Sequence, residues 1–294
     1  MNKIQGIVIQ SNGGFYYVEA TDAVYTCRAR GIFRKQGMTP VAGDRVTIAV
    51  EEDGTGVLES VLERKNSLVR PPVANVDLLV LVASVCQPKT NTLVLDKMIA
   101  VAEKKGICPI IVINKSDLGD PSALETIYRS TGIEWFTVSA KDPATLEPLR
   151  RRLAGQISVF AGNSGVGKSS ILNGIDPSLA LSTGEISQKL GRGRHTTRTA
   201  TLYHLAEGYL VDTPGFSSLD LEMVEPIYKE ELPYCFREFE TYEGTCRFAG
   251  CAHYKEPGCS VRQAVETGEI AQSRYDSYVS MYEAVKDIKE WEKV

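Results

Sequence analysis

The stretch FAGNSGVGKSS, from Phe160 to Ser170, constrains the fold of this chain more than any other. It contains the pattern GxxxxGK followed by Ser, with the apolar run ISVF before it and the helical pattern SSILNGI after it. Its glycines allow successive backbone N–H groups to point inward, and the positive end of the following helix adds to their attraction for an anion. Because both flanking elements are present, a phosphate-binding loop is favoured over an ordinary glycine-rich turn.

The residues of this loop have distinct expected roles. Lys168 should reach the β- and γ-phosphates of a nucleotide, and the Ser169 hydroxyl should bind Mg²⁺. The predicted phosphate-binding residues are Gly162, Asn163, Ser164, Gly165, Val166, Gly167, Lys168, Ser169 and Ser170.

A second motif, NKSD, occupies Asn114 to Asp117, directly after the apolar run PIIVI and about fifty residues before the phosphate loop. A carboxylate there can accept hydrogen bonds from the N1–H and exocyclic amine of guanine, a donor pair that adenine lacks. Alone, NKSD is a common polar turn; beside a phosphate loop and the triplet SAK, it predicts a guanine pocket in which the Ala140 N–H meets guanine O6. The predicted base-binding residues are Asn114, Lys115, Asp117, Ser139, Ala140 and Lys141.

A third motif, DTPG, begins at Asp212, 44 residues after Lys168. Asp212 is expected to hold Mg²⁺, through water, and the Gly215 N–H to detect a γ-phosphate. Between the phosphate loop and DTPG lies the segment GRGRHTTR, which should supply a threonine to Mg²⁺ in the triphosphate state. Thr196 and Thr197 are both candidates, with Thr197 preferred.

The residue after DTPG is Phe216, where many GTPases place a glutamine that orients the attacking water. An apolar ring cannot do this, so we expect slow unaided hydrolysis and a water-positioning group from elsewhere. His195 is the best internal candidate, although its imidazole could equally serve as a cap or contact a partner. The predicted catalytic residues are His195, Lys168 and Thr197.

Short alternating apolar runs and turn signals from Lys3 to Val69 predict an antiparallel barrel of about five strands. An oligonucleotide-binding (OB) barrel fits the strand number and length, and an SH3-like barrel used as a spacer is the alternative. After Pro71 and Pro72, long apolar runs alternate with helical patterns, as in a parallel sheet with right-handed crossovers. In this sheet the base-reading motifs precede the phosphate loop in sequence. This order resembles that of a translation-factor-class GTPase whose segments have been circularly permuted.

The C-terminal part contains three cysteines and a histidine within fourteen residues, Cys246, Cys251, His253 and Cys259. Three thiolates and one imidazole suit a tetrahedral, structural Zn²⁺ site, and scattered core cysteines are the alternative. The remaining cysteines are expected to be small buried apolar residues: Cys27, Cys86, Cys108 and Cys235.

The net charge of −4 argues against a protein that coats nucleic acid by charge alone, but two local basic groups are candidates for RNA contact. One is the set Lys189, Arg192, Arg194 and Arg198, and the other is the set Arg28, Arg30, Arg34 and Lys35. No apolar run approaches the ~20 residues that span a bilayer, and no secretory signal is evident. We therefore expect a cytoplasmic monomer without a membrane or DNA partner.

The motifs NKSD, SAK, GNSGVGKSS, GRGRHTTR and DTPGFSSL in this order, followed by CxxxxCxHxxxxxC, resemble the ribosome small-subunit-dependent GTPase A family of bacterial assembly factors. The match extends over essentially the whole chain. The resemblance implies GTP hydrolysis with Mg²⁺, one structural Zn²⁺, and docking on the small (30S) ribosomal subunit and its 16S rRNA late in maturation. It also implies that the subunit stimulates hydrolysis, that release follows, and that His195 is the suspected catalytic group.

The predicted fold is a multidomain α/β chain with an OB-type barrel over residues 1–70, a circularly permuted P-loop GTPase domain with a mostly parallel sheet over 71–221, and a zinc-binding helical domain over 222–294. A nucleotide-gated binding module with unimportant turnover is a second functional hypothesis. A metabolic kinase is a third, which NKSD and DTPG disfavour.

Overall fold

The computed structural model describes residues 2–31, 33, 37–69, 71–181, 200–212, 226–289 and 291. Within these ranges the chain forms one continuous sheet of eleven strands, a separate two-stranded hairpin, and helices on both sides of the parallel part. None of the helices in the described ranges combines the length and apolar character needed to cross a membrane.

Five N-terminal strands form the predicted barrel. Each pairs antiparallel with its neighbours except β3 and β5, which are parallel, and the pairing of β1 with β4 closes the order β1-β2-β3-β5-β4. This order is the five-stranded arrangement of an OB barrel and confirms that expectation. The strands are β1 (Asn2–Asn12), β2 (Phe15–Glu19), β3 (Val24–Ala29), β4 (Arg45–Val50) and β5 (Gly56–Val61).

A short hairpin joins the barrel to the central sheet, in which four parallel strands lie in the order β10-β9-β8-β11. Every residue of β8 and β11 is buried, because helices cover both faces, as the continuous apolar runs predicted. The strands are β6 (Ser67–Leu68), β7 (Val73–Ala74), β8 (Leu78–Ser84), β9 (Cys108–Asn114), β10 (Glu134–Thr137) and β11 (Ile157–Ala161). The helices are α1 (Thr92–Lys104), α2 (Ser122–Tyr128), α3 (Pro143–Leu153) and α4 (Lys168–Ile175).

The sheet continues beyond β11 into an antiparallel hairpin that links it to the barrel. β13 (Gly208–Asp212) runs parallel to β11, and β12 (Thr201–Leu205) runs antiparallel to β13. β12 then pairs with β1 of the barrel. The sequence predicted β13 but missed β12, because a five-residue strand in which an exposed histidine interrupts the apolar residues gives a weak periodic signal.

The C-terminal part consists of a 3₁₀ turn (Leu232–Cys235) and three helices, α5 (Arg237–Glu240), α6 (Ser260–Glu266) and α7 (Gln272–Val285). Helices are thus found in the C-terminal part, as predicted, although the mostly polar sequence of α7 does not indicate that one face is buried. Arg274 and Tyr278 of α7 are fully buried, and α7 packs against α1 of the central domain. The predicted domain boundaries near residues 70 and 221 stay predictions.

The four cysteines outside the proposed metal set differ in exposure. Cys27 and Cys235 are buried, as expected. Cys86 and Cys108 are only partly buried, so their prediction as buried apolar residues was wrong. Cys86 lies in the loop two residues after β8, and Cys108 is the first residue of β9, so neither lies within the buried layers.

A buried ionic cluster fixes the C-terminal helices on the central domain. The guanidinium of Arg274 donates to Glu238 through Nε (2.7 Å) and to Asp96 of α1 through Nη1 (2.6 Å), and the Tyr128 hydroxyl donates to the same Asp96 oxygen. The Arg274 guanidinium also lies 4.5 Å from the ring centroid of Phe236. Buried charges are tolerated only when paired in this way.

We expect Arg274→Met to lower the free energy of unfolding by about 3–5 kcal/mol, because it leaves two buried carboxylates without their counter-charge. The matched control is Arg150→Met, which removes an exposed arginine lying 3.8 Å from Glu147 and should change the free energy by no more than about 1 kcal/mol. Urea unfolding of the zinc-loaded variants provides the measurement. Equal, small losses in both variants would contradict a stabilising role for the cluster.

Candidate nucleotide and metal sites

The predicted nucleotide motifs meet at one edge of the sheet. β8, β9, β10 and β11 are parallel, so their carboxyl ends lie on the same side. NKSD begins at the end of β9, SAK follows β10, and the phosphate loop follows β11. Ligands of open α/β sheets bind at this edge, so the structure places all three motifs where one nucleotide can contact them.

Two glycines of the phosphate loop have backbone angles and surroundings that exclude a side chain. Gly162 has φ = +139°, and a Cβ there would lie 2.4 Å from the carbonyl oxygen of Val82. Gly167 has φ = +99°, and a Cβ there would lie 2.2 Å from Nδ2 of Asn114. The loop therefore passes close to β8 and to the base-reading motif, and only glycine fits at these points.

Lys168 closes the phosphate loop on itself. Its ammonium donates to the carbonyl oxygens of Gly162 (2.7 Å) and Asn163 (3.0 Å), so it spans the loop from the first turn of α4. Burial lowers its pKa from the ordinary value. A partly desolvated cation held beside the loop by two backbone carbonyl oxygens is well placed to attract phosphate oxygens.

Asn114 joins the base-reading motif to the phosphate loop. Its Nδ2 donates to the carbonyl oxygen of Val166 at 2.9 Å, and its side chain is almost fully buried. The Oδ1 atom of Asn114 has no hydrogen-bond partner among the described residues. The two loops, 52 residues apart in sequence, thus have a fixed relative position before any nucleotide binds.

Asp117 is oriented by the SAK triplet. Its Oδ1 accepts from the Ser139 hydroxyl (2.9 Å) and its Oδ2 from the Lys141 ammonium (3.1 Å). These hydrogen bonds, that from Lys141 foremost, hold the pKa of Asp117 below its ordinary value. The carboxylate is therefore ionised near neutral pH, and an ionised carboxylate can accept two hydrogen bonds.

The sequence did not identify two further contacts of this edge. Thr145 of α3 anchors SAK, because its Oγ1 accepts from the Ser139 N–H at 3.0 Å. Lys115 donates through Nζ to the carbonyl oxygen of Gln87 at 2.6 Å, in the loop between β8 and α1. The contact of Thr145 had no sequence signal, because a serine or threonine a few residues into a helix is common. The only signal for Gln87 was its position beyond the carboxyl end of a parallel strand.

Several predicted residues lie outside the described residues: His195, Thr196, Thr197, Gly215, Phe216, Lys189, Arg192, Arg194, Arg198, Arg34 and Lys35. For Asp212 only the backbone is described, as the last residue of β13. Of the basic barrel residues, Arg28 lies over the ring of Phe15 at 4.9 Å, and Arg30 forms an ion pair with Glu59. The charge of Arg30 is therefore partly neutralised, whereas that of Arg28 lies beside an aromatic face.

The four predicted metal ligands converge. Their donor atoms all lie within 4.8 Å of one another, with His253 Nδ1 3.6 Å from Cys246 Sγ and 3.4 Å from Cys259 Sγ. Backbone N–H groups point at two sulfur atoms: Ser260 N at Cys246 Sγ and His253 N at Cys251 Sγ. Three sulfurs and one imidazole nitrogen at such separations fit one tetrahedral Zn²⁺ with no open position.

Side chains that the sequence did not single out hold the loop that carries the candidate metal ligands. The Glu256 carboxylate accepts from the N–H groups of Ala252 (3.0 Å) and Tyr254 (2.9 Å), on either side of His253. The Tyr275 hydroxyl of α7 donates to the carbonyl oxygen of His253 at 3.0 Å. These contacts orient the loop around its ligands, which is how outer groups tune a metal site.

Comparison with known proteins gives family matches to two consecutive parts of the chain. The model of the RsgA GTPase family matches residues 61–222, and that of the RsgA N-terminal domain matches residues 5–58. The chain is 46% identical over 291 residues to a Geobacillus thermodenitrificans protein named small ribosomal subunit biogenesis GTPase RsgA, covering 97% of this chain and 98% of the relative. A Bacillus subtilis protein of the same name is 46% identical over 296 residues, with the same coverage.

Two solved structures resemble this chain over nearly its whole length. The crystal structure of YjeQ from Thermotoga maritima superimposes with a TM-score of 0.83 at 40% identity, covering 98% of this chain and 100% of that one. The crystal structure of YloQ, described as a circularly permuted GTPase, gives a TM-score of 0.81 at 40% identity, covering 98% of this chain and 96% of that one. The permuted motif order is therefore a property of the fold of these relatives.

For the phosphate loop we expect Gly167→Ala to weaken GDP binding by at least about 30-fold, because the new methyl group displaces Asn114 and breaks its hydrogen bond to Val166. Gly268→Ala is the control: its φ is also positive (+80°) but nothing lies within 4 Å of a Cβ there. Titration with a fluorescent GDP gives both dissociation constants. Unchanged affinity in Gly167→Ala, or an equal loss in the control, would refute the steric argument.

For the metal site we expect Cys259→Ser to reduce the zinc content from about one ion per chain to near zero. Cys86→Ser, which removes a partly exposed cysteine outside the cluster, should keep the full content. Acidification should release zinc from the unaltered protein, because protons compete for the thiolates and the imidazole. Elemental analysis after dialysis measures all three samples, and full zinc retention by Cys259→Ser would show that the ligand set is wrong.

Proposed function

The chain belongs to the RsgA GTPase family and is a GTPase, and we propose that it acts as a molecular switch in late maturation of the small (30S) ribosomal subunit, which stimulates its GTP hydrolysis. The observation that most supports guanine-nucleotide chemistry is the hydrogen bond of Asn114 to the phosphate loop. This bond links the loop that carries the proposed base-reading carboxylate to the proposed phosphate-binding loop. The ribosomal part of the proposal is supported by the names of the relatives, which are small ribosomal subunit biogenesis GTPases.

In the proposed nucleotide complex, Asp117 accepts the N1–H and amine of guanine, and the Ala140 N–H donates to O6. Inward N–H groups of the loop from Gly162 to Ser170 bind the phosphates. Lys168 leaves the carbonyl oxygens that it contacts in the structure and moves to the β- and γ-phosphates. Mg²⁺ bound at Ser169, Thr197 and, through water, Asp212 would neutralise charge that develops on the phosphates.

Hydrolysis transfers the γ-phosphoryl group to water, so the work of the protein is positioning and charge stabilisation. Phe216 cannot orient the water, and the proposal assigns that task to His195, completed by the ribosomal partner. GTP hydrolysis that is slow in the free protein and rapid in its complex with the ribosomal partner would occur mainly after binding. The GDP state then leaves, and the Gly215 N–H distinguishes the two states by the presence of a γ-phosphate.

The proposed partner is RNA-rich and the proposed compartment is the cytoplasm. Arg28, beside Phe15 on the barrel, offers a cation and an aromatic face together, which suits single-stranded RNA. The proposed Zn²⁺ has a structural role, because its four protein ligands leave no position for a substrate. The proposed functional unit is a monomer, without a membrane or DNA partner.

The decisive measurement is steady-state GTP hydrolysis by the purified protein alone, with small ribosomal subunits, with large subunits, and with an unrelated RNA of equal charge. We expect at least about 100-fold stimulation by small subunits only, because the partner completes a site that lacks a water-orienting glutamine. Equal rates in all four conditions would refute the ribosomal assignment. A His195→Ala variant that no longer hydrolyses GTP but still acts and dissociates normally would favour the binding-module hypothesis.

A further inference from the structure

The barrel reaches the GTPase sheet beside the strand that ends on Asp212. Gln10 of β1 pairs with Thr201 of β12, and Thr201 pairs on its other side with Asp212 of β13. Adjacent strands are about 4.8 Å apart. Only one strand therefore separates the barrel from the proposed Mg²⁺-binding residue.

Glu19, the last residue of β2 in the barrel, forms a second contact with the same hairpin. Its Oε2 accepts from the Tyr209 hydroxyl at 2.5 Å, and its Oε1 lies 2.9 Å from Nε2 of His204. His204 and Tyr209 are cross-strand partners in β12 and β13, with ring centroids 5.1 Å apart. One barrel carboxylate thus holds both strands of the hairpin.

On the barrel side, the backbone of Glu19 is held by strand pairing. Glu19 pairs with Ile7 of β1 and with Val24 of β3, so its backbone lies inside the barrel sheet. A Cβ at Gly6 would lie 2.5 Å from the carbonyl oxygen of Glu19, which shows how closely β1 and β2 approach. The Glu19 side chain is only 22% exposed. Movement of this part of the barrel must therefore move the carboxylate.

On the GTPase side, the Glu19 contact lies close to the proposed Mg²⁺-binding residue. Tyr209 precedes Asp212 by three residues, about 10 Å along a strand. Burial and then the hydrogen bond to Glu19 raise the pKa of Tyr209, so its hydroxyl stays protonated and remains a donor. In sequence, β12 follows the segment with Thr197 by three residues and β13 leads directly into DTPG. A displacement of this hairpin shifts the attachment points of both proposed nucleotide-sensing segments.

We propose that Glu19 is a positioning residue that couples a partner bound at the barrel to GTP hydrolysis, through its hydrogen bonds to Tyr209 and His204. Glu19 lies in the barrel, outside the predicted nucleotide motifs. It sets the position of the β12–β13 hairpin relative to the barrel, so the state of either side biases the other. The inference rests on the proposed function only in identifying the barrel's partner as the small ribosomal subunit.

The first test compares Glu19→Ala and Tyr209→Phe with the unaltered protein in GTP hydrolysis, without and with increasing amounts of small subunits. We expect Glu19→Ala to reduce stimulated kcat at least about fivefold. Basal turnover and the half-saturating subunit concentration should stay within about twofold of the unaltered protein. Tyr209→Phe should reduce stimulated kcat less than Glu19→Ala does, because the Glu19–His204 contact remains. Glu19→Gln should also keep a higher stimulated kcat than Glu19→Ala, because its amide oxygen still accepts the hydrogen bond from Tyr209.

The barrel provides a matched control pair. The Tyr25 hydroxyl donates to the Asp22 carboxylate at 2.7 Å, a bond of the same chemistry with both partners in the barrel. Asp22→Ala and Tyr25→Phe should leave stimulated and basal kcat unchanged. The proposal is overturned if Glu19→Ala keeps full stimulation, if it changes only the half-saturating concentration, or if the controls lose as much.

A second measurement needs no ribosomal partner and separates this proposal from the proposed function. Hydrogen exchange in β2, Phe15–Glu19, is compared between the GDP state and a state with a non-hydrolysable GTP analogue. We expect a difference in the unaltered protein that disappears in Glu19→Ala, because coupling is reciprocal. If β2 exchange differs between the nucleotide states but small subunits do not stimulate GTP hydrolysis, the proposed function is refuted and the coupling is supported. If β2 exchange is equal in both nucleotide states, the coupling is refuted, whether or not small subunits stimulate hydrolysis.

Discussion

The hydrogen bond from Asn114 to the carbonyl oxygen of Val166 is the contact on which the nucleotide site depends. It joins the loop after β9 to the loop after β11 across the intervening strand β8. Its donor is buried, so the bond competes little with water and breaking it would leave a polar group unsatisfied. Because this contact exists in space rather than along the chain, the base-reading loop can precede the phosphate loop in sequence without any change in the site.

The remaining architecture attaches two further domains to that edge, by different physical means. The barrel is joined by strand pairing between β1 and β12 and by the hydrogen bonds of the partly buried Glu19 side chain. The C-terminal helices are joined through Arg274, buried between Asp96 and Glu238. A buried ionic cluster requires one geometry, because any shift leaves charges unpaired. The barrel contact is more open to solvent, since the His204 side chain is 70% exposed, and this difference suits the proposed role of the barrel in sensing a partner.

Much of the fold and of the site could be predicted because their signals are local. The GxxxxGK loop, NKSD and the Cys/His spacing each lie within a few consecutive residues, and the apolar runs of β8, β9 and β11 are continuous. What escaped prediction has no local signal. Thr145, Gln87 and Glu256 are ordinary polar residues whose roles come from partners brought near by the fold. The buried face of α7 was hidden because its buried residues include an arginine and a serine, which sequence patterns assign to solvent.

The sequence by itself determined the GTPase family, the permuted motif order and the candidate metal ligands, since these depend on residue types at short spacing. Only the tertiary structure decided which distant elements touch: Asn114 with Val166, Glu19 with Tyr209, and Arg274 with Asp96. Such pairs are separated by 52 to 190 residues. Their formation depends on strand order and helix packing, which are set by burial of the whole core and not by any short stretch of the chain.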